Sequence, residues 1–158
     1  MGNIFLGSEI VEIGIQIEKN GRDYYDTLAK QTKNPEAAKI FKFLAGEEER
    51  HIVIFQKILY KTEKYEPIGL DADQYYEYMS TLASEYVFTQ KDKGAQLATG
   101  IKDDSEAVEL GIGHEKDSII FYEGIKKVVP EYAQTVIGEL IAQEEEHLRQ
   151  LLHLKKGL

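Results

Sequence analysis

Cysteine is absent from this sequence, which excludes disulfides, zinc ribbons, thiolate nucleophiles, iron–sulfur clusters and rubredoxin-type iron centres. Any metal must be held by oxygen and imidazole. Basic residues are also short: 19 Lys plus Arg against 28 Asp plus Glu leave a net charge of −9, which argues against nucleic acid and anionic membrane as partners. No segment reaches eighteen consecutive apolar residues, and Met1 to Gly14 lacks the basic n-region and apolar stretch of a secretory signal, so a cytoplasmic protein is expected. Proline occurs only as Pro35, Pro67 and Pro130, each where helical periodicity breaks.

What is present suits a helical core. The 158 residues fit one domain spanning 1–158, and 42% hydrophobic with 30% charged residues is far from the composition of disorder. From Ser8, a candidate N-cap, to about Gln31, the residues Ile10, Ile13, Ile17, Tyr24, Tyr25 and Leu28 recur at helical spacing. A second helix follows Asn34-Pro35 and runs to about Tyr60 on Ile40, Phe41, Leu44, Ile52, Phe55 and Leu59. Asp103 or Asp104 can cap a third, carrying Val108, Ile112, Ile119, Tyr122 and Ile125. The fourth runs from Pro130 to about Lys155 on Ile137, Leu140, Ile141, Leu148 and Leu151. The long segment between helices two and three must carry structure of its own: Asp71 to about Gln90 reads as a further helix with Tyr75, Tyr78, Met79, Leu82 and Tyr86 on one side, and Lys91 to Lys102 as mobile connection. Its tyrosines suit a cap on the bundle or a dimer contact. The expected fold is all-α, a four-helix bundle of two hairpins with a long helix-bearing crossover.

The chain also repeats itself. Ile15 through Tyr25 resembles Ile112 through Tyr122, and Leu44 through His51 resembles Leu140 through His147. Each half supplies one Glu and, about thirty residues later, a Glu-x-x-His. At about 100° per residue, Glu48, Glu144 and Glu115 fall within the apolar stripes of their helices, Glu18 falls toward the edge of its own, and His51 and His147 share a face with the glutamates three residues before them. Unpaired carboxylates taken out of water cost at least several kcal/mol each, and four together also repel. No Lys or Arg occupies the stripe positions beside Glu48 or Glu144. Two divalent cations would balance the four negative charges, with neutral imidazoles adding donors. Such oxygen-rich ligation with one His per metal suits iron or manganese better than copper.

These residues resemble the ligand set of the ferritin-like di-iron carboxylate superfamily, most closely its rubrerythrin-type branch: one Glu from each of two helices and a Glu-x-x-His from each of the others. The resemblance implies two iron ions held by Glu18, Glu48 and His51 from the first half and Glu115, Glu144 and His147 from the second, with Glu48 and Glu144 bridging. It further implies an oxidoreductase acting on hydrogen peroxide or dioxygen, with ferroxidase and iron storage or sequestration as the alternative role, and a homodimer. The sequence departs from the branch in two ways. No rubredoxin tail is present, so electrons would come from a separate electron-transfer protein. The extra Glu that rubrerythrins carry one turn after the third-helix ligand is Ser118 here, with Gly21 at the repeat-related place.

Tyr25 and Tyr122 lie seven residues after Glu18 and Glu115, on the same line of the helix. Each could hydrogen-bond a ligand carboxylate, serve as a redox-active phenol, or simply fill the core. His114 and His153 read as surface histidines, and Glu47, Glu49, Glu145 and Glu146 as solvated flank charges.

Overall fold

A computed structural model describes residues 7–62, 72–127 and 129–158. Residues Met1 to Leu6, Pro67 and Asp71, on which some of the expectations above fall, lie outside the described residues. Among the described residues there are six α-helices, one 3-10 turn and no strand: α1 (Gly7–Gln31), α2 (Pro35–Thr62), α3 (Ala72–Glu85), the 3-10 turn Val87–Thr89, α4 (Gly94–Thr99), α5 (Asp104–Ile125) and α6 (Glu131–Lys156). None of these helices is long and apolar enough to cross a membrane.

Local chemistry explains the breaks. Pro35 opens α2, where its missing N–H is not needed, and the Asn34 side chain caps the first turn by accepting from the N–H groups of Glu36 (3.0 Å) and Ala37 (3.2 Å). Asp103 caps α5 by accepting from Glu106 N–H at 2.8 Å. Pro130 stands immediately before α6, whose last turn carries His153, Lys155 and Lys156 against the negative end of the helix dipole. Ser8 does not cap: α1 already includes Gly7, so Ser8 sits inside the first turn.

Helix α1 packs along α2 and α5 along α6, giving the two hairpins, and α1 also meets α5. Two apolar clusters fill the bundle. One, with Ile10, Ile17, Phe55, Phe121, Tyr122, Ile125 and Ile137, occupies the start of α1 and the end of α5; the other, with Tyr24, Tyr25, Phe41, Leu44, Val108 and Leu151, occupies the opposite ends of those helices. Along every long helix the glutamates and histidines singled out above fall between the two clusters.

The crossover is more ordered than its composition implies. The helix expected to reach Gln90 stops at Glu85 and gives way to the 3-10 turn, and the stretch expected to be mobile contains α4. Tyr78 faces outward, and Tyr76 takes the buried place beside Met79. The cause lies on α1. Asn20 is fully buried; its amide donates to the carbonyls of Phe88 (2.6 Å) and Gln90 (2.5 Å), while its oxygen accepts from the N–H groups of Lys93 (2.9 Å) and Gly94 (3.1 Å). Gly94 approaches so closely that a Cβ there would lie 2.0 Å from the Asn20 carbonyl oxygen. Gln31 adds a hydrogen bond to the Ala98 carbonyl at 2.9 Å.

Replacing Asn20 with Ala strips four backbone groups of their partner. The substitution is expected to lower stability by about 2–4 kcal/mol, seen as a Tm lower by roughly 5–15 °C, with hydrogen exchange accelerating first at residues 88–94.

Candidate metal centre

Six side chains from four helices meet between the apolar clusters: Glu18 from α1, Glu48 and His51 from α2, Glu115 from α5, Glu144 and His147 from α6. Each is at most 2% exposed. They form two overlapping groups, Glu18, Glu48, His51 and Glu144 in one and Glu48, Glu115, Glu144 and His147 in the other, each able to bring one donor atom per residue within 4.8 Å of the rest. Glu48 and Glu144 belong to both. Glu18, at the edge of its stripe by helical phase, is nonetheless fully buried.

The histidines turn the same nitrogen inward. His51 Nδ1 lies 2.8 Å from Glu144 Oε1 and 3.4 Å from Glu18 Oε1; His147 Nδ1 lies 3.5 Å from Glu144 Oε2 and 3.8 Å from Glu115 Oε2. Their rings stack at 5.7 Å. His51 Nε2 faces Gln143 Oε1 at 2.7 Å, and a proton kept on Nε2 in that bond makes Nδ1 the nitrogen that offers its lone pair to a metal once its own proton is displaced. Periodicity gave no sign of Gln143, because its partner sits on another helix. The repeat-related residue, Glu47, pairs instead with Arg50 on its own helix.

Both tyrosines reach across the repeat. Tyr25 donates to Glu115 Oε1 at 2.7 Å, and Tyr122 donates to Glu18 Oε1 at 2.5 Å, so each half's phenol holds the other half's glutamate. Burial, then the nearby carboxylates, raise both hydroxyls well above the ordinary tyrosine range and keep them protonated donors.

His114 departs from expectation. It is 2% exposed, wedged against Phe88 at 4.1 Å between ring centres and 6.0 Å from the Tyr25 ring. Helical phase alone sent it outward; the crossover, which carries Phe88, covers that side of α5. Burial lowers its pKa. His153 is exposed, as are Glu49, Glu145 and Glu146, while Glu47 is half-buried. Glu49 binds Arg22 at 2.8 Å.

A pair of cations fits this chemistry. Despite their crowding, Glu18 Oε2, both oxygens of Glu48 and of Glu144, Glu115 Oε2, and Nδ1 of His51 and His147 are all buried without a directed hydrogen-bond partner. Without metal the cluster must keep protons. Burial, then Glu18 and Glu144, push the Glu48 carboxyl well above its ordinary range, and burial with Glu144 lifts Glu115 to about 7. Burial opposes charge on both histidines, but the carboxylates outweigh it: Glu18 and Glu144 raise His51 to about 11, and Glu115 and Glu144 raise His147 to about 10. Burial likewise works against the charge of Glu18 and Glu144, yet both end below the ordinary range, Glu18 chiefly through His51 and Glu144 through its close polar contacts with Glu115 and the two histidines.

The sequence matches the family model described as Rubrerythrin over residues 9–155. Among curated proteins none matches. A crystal structure from Thermotoga maritima, described as that of a ferritin-like diiron-carboxylate protein, superimposes with a TM-score of 0.69 at 28% identity, covering 99% of this chain and 98% of the other.

Cations entering the cluster must displace the protons on His51, His147, Glu48 and part of Glu115. Adding Mn(II) or anaerobic Fe(II) near neutral pH is expected to release about three to four protons per pair of ions, detectable with an indicator dye in weak buffer. Because protons compete with the metal, apparent affinity rises from pH 6 to pH 8; a flat profile contradicts this account of the metal-free cluster.

Proposed function

The chain belongs to the rubrerythrin family, and from that premise we propose that it is a di-iron oxidoreductase acting on hydrogen peroxide or dioxygen, supplied with electrons by a separate electron-transfer protein. In this reading Glu18 and His51 would hold one iron and Glu115 and His147 the other, with Glu48 and Glu144, which belong to both donor groups, available to each. The observation that carries it is the pair of overlapping donor groups, buried and short of hydrogen bonds, that share Glu48 and Glu144.

A bound iron pair supplies two electrons at one place, the number that reduces hydrogen peroxide with two protons to two waters. The chain does the rest. Four carboxylates offset the charge of two divalent ions, so the filled centre is close to neutral in a medium where net charge is costly. Tyr122 and Tyr25 each occupy one oxygen of Glu18 and Glu115 and leave the other, Oε2, free toward the metals. Gln143 fixes the ring of His51. The apolar clusters at both ends keep bulk water from the donors and strengthen every interaction among them. Oxidant enters from solvent, and a homodimer working in the cytoplasm completes the proposal.

The test is a stopped-flow experiment on anaerobically loaded Fe(II) protein, mixed with one equivalent of hydrogen peroxide or with oxygenated buffer. Rapid oxidation by either supports an oxidoreductase, and the faster oxidant identifies the class; iron that stays ferrous with both sinks the proposal. Elution as a dimer is expected, whereas a large hollow assembly would point to storage.

Two substitutions probe the ligands. Changing both Glu48 and Glu144 to Ala should abolish binding of the ion pair, measured by elemental analysis, while circular dichroism shows the bundle still folded. Tyr122→Phe keeps the ring in the core and removes only the hydroxyl, so metal affinity is expected to fall by about 10–100-fold with little change in helicity.

A further inference from the structure

One buried donor is unused in the assignment above. His114 Nε2 is buried without a hydrogen-bond partner, in an imidazole only 2% exposed. It points over Gly21 of α1: a Cβ at Gly21 would lie 2.7 Å from His114 Nε2 and 3.2 Å from Glu48 Cδ. Glycine at that position therefore keeps open the path between the imidazole and the shared carboxylate.

Across that path His114 Nε2 and Glu48 Oε1 are 3.9 Å apart. The separation is too long for a hydrogen bond. One divalent ion with bonds of about 2.0–2.2 Å to imidazole nitrogen and carboxylate oxygen spans up to about 4.4 Å when the two stand opposite each other, so a single ion can touch both; His114 lies just outside the two four-donor groups, and sharing an ion with them draws its ring inward. The ring is also held in place. Phe88 packs on it and the Phe88 carbonyl is tied to Asn20, whereas Ser118 bonds only the His114 backbone carbonyl, at 2.8 Å, and leaves the ring untouched.

We infer that His114 is a seventh protein donor of the centre, binding through Nε2 the ion on the Oε1 side of Glu48; this rests on the two-metal reading above. The imidazole arrives from α5, beside Glu115, and fills the space that α1 leaves empty at Gly21. It gives one ion of the pair a second nitrogen ligand and makes the two ends of the centre unequal, although the six other donors obey the internal repeat.

The test compares the full chain with His114→Phe, which keeps an aromatic ring against Phe88, and with Ser118→Ala, which removes only the hydrogen bond to the His114 carbonyl. Each is loaded anaerobically with iron-57 as Fe(II) and examined for metal affinity and by Mössbauer spectroscopy. In His114→Phe, one of the two sites is expected to weaken by about ten-fold or more, and one of the two ferrous signals to shift while the other stays; Ser118→Ala should match the parent chain. A crystal structure of the Fe(II)-loaded parent chain decides independently of how the variants fold, with an anomalous peak within bonding distance of His114 Nε2 expected. A filled pair with water between His114 and Glu48, or an unchanged His114→Phe spectrum, overturns the seventh donor and leaves the two-metal reading standing. A parent chain that fails to bind two ions overturns both.

Discussion

Four carboxylates forced together away from water are the constraint on which this molecule is built. Glu18, Glu48, Glu115 and Glu144 are each at most 1% exposed, and no lysine or arginine is paired with them among the described residues. A helical bundle tolerates such a layer only if something positive is shared among them. Without metal, protons on the histidines and on part of the carboxyl set serve; with metal, the same atoms become ligands. The apolar clusters on either side give the bundle its cohesion, so the layer between them is free to be chosen for chemistry.

The two halves are locked by crossed hydrogen bonds. Tyr25 lies on the helix that carries Glu18 yet holds Glu115, and Tyr122 lies on the helix that carries Glu115 yet holds Glu18. Neither hairpin can complete its own share of the layer, because Glu18 and Glu115 are each oriented from the opposite side. Symmetry then fails at particular places. Gln143 orients His51, whereas its counterpart Glu47 is taken by Arg50. His114 enters the space over Gly21, whereas its repeat mate is Ile17, a residue of the apolar core. A duplicated framework thus carries two donor groups with unlike surroundings.

The crossover takes part in this arrangement. Asn20 lies on α1 two residues after Glu18, and its side chain fixes both the 3-10 turn and the start of α4. That clamp sets Phe88 against His114 and closes one flank of the centre. Gly94, Ala98 and Phe88 are small or apolar residues placed to lie against α1, and they turn a segment rich in polar residues and glycine into ordered cover.

Helical period and internal repetition, read along the chain, were enough to place the four long helices, their proline and aspartate boundaries, and the six side chains that meet in the buried cluster, because a Glu-x-x-His on an apolar stripe is a local pattern and its second copy stands at matched spacing. They were also enough to align Tyr25 and Tyr122 with the glutamates of their own helices. Which carboxylate each phenol holds, the partnership of His51 with Gln143, the burial of His114 and the order in the crossover depend on neighbours distant in sequence. Helical phase records the direction in which a side chain leaves its own helix, and only the packed structure determines whether another helix, a glycine hollow or open water lies there.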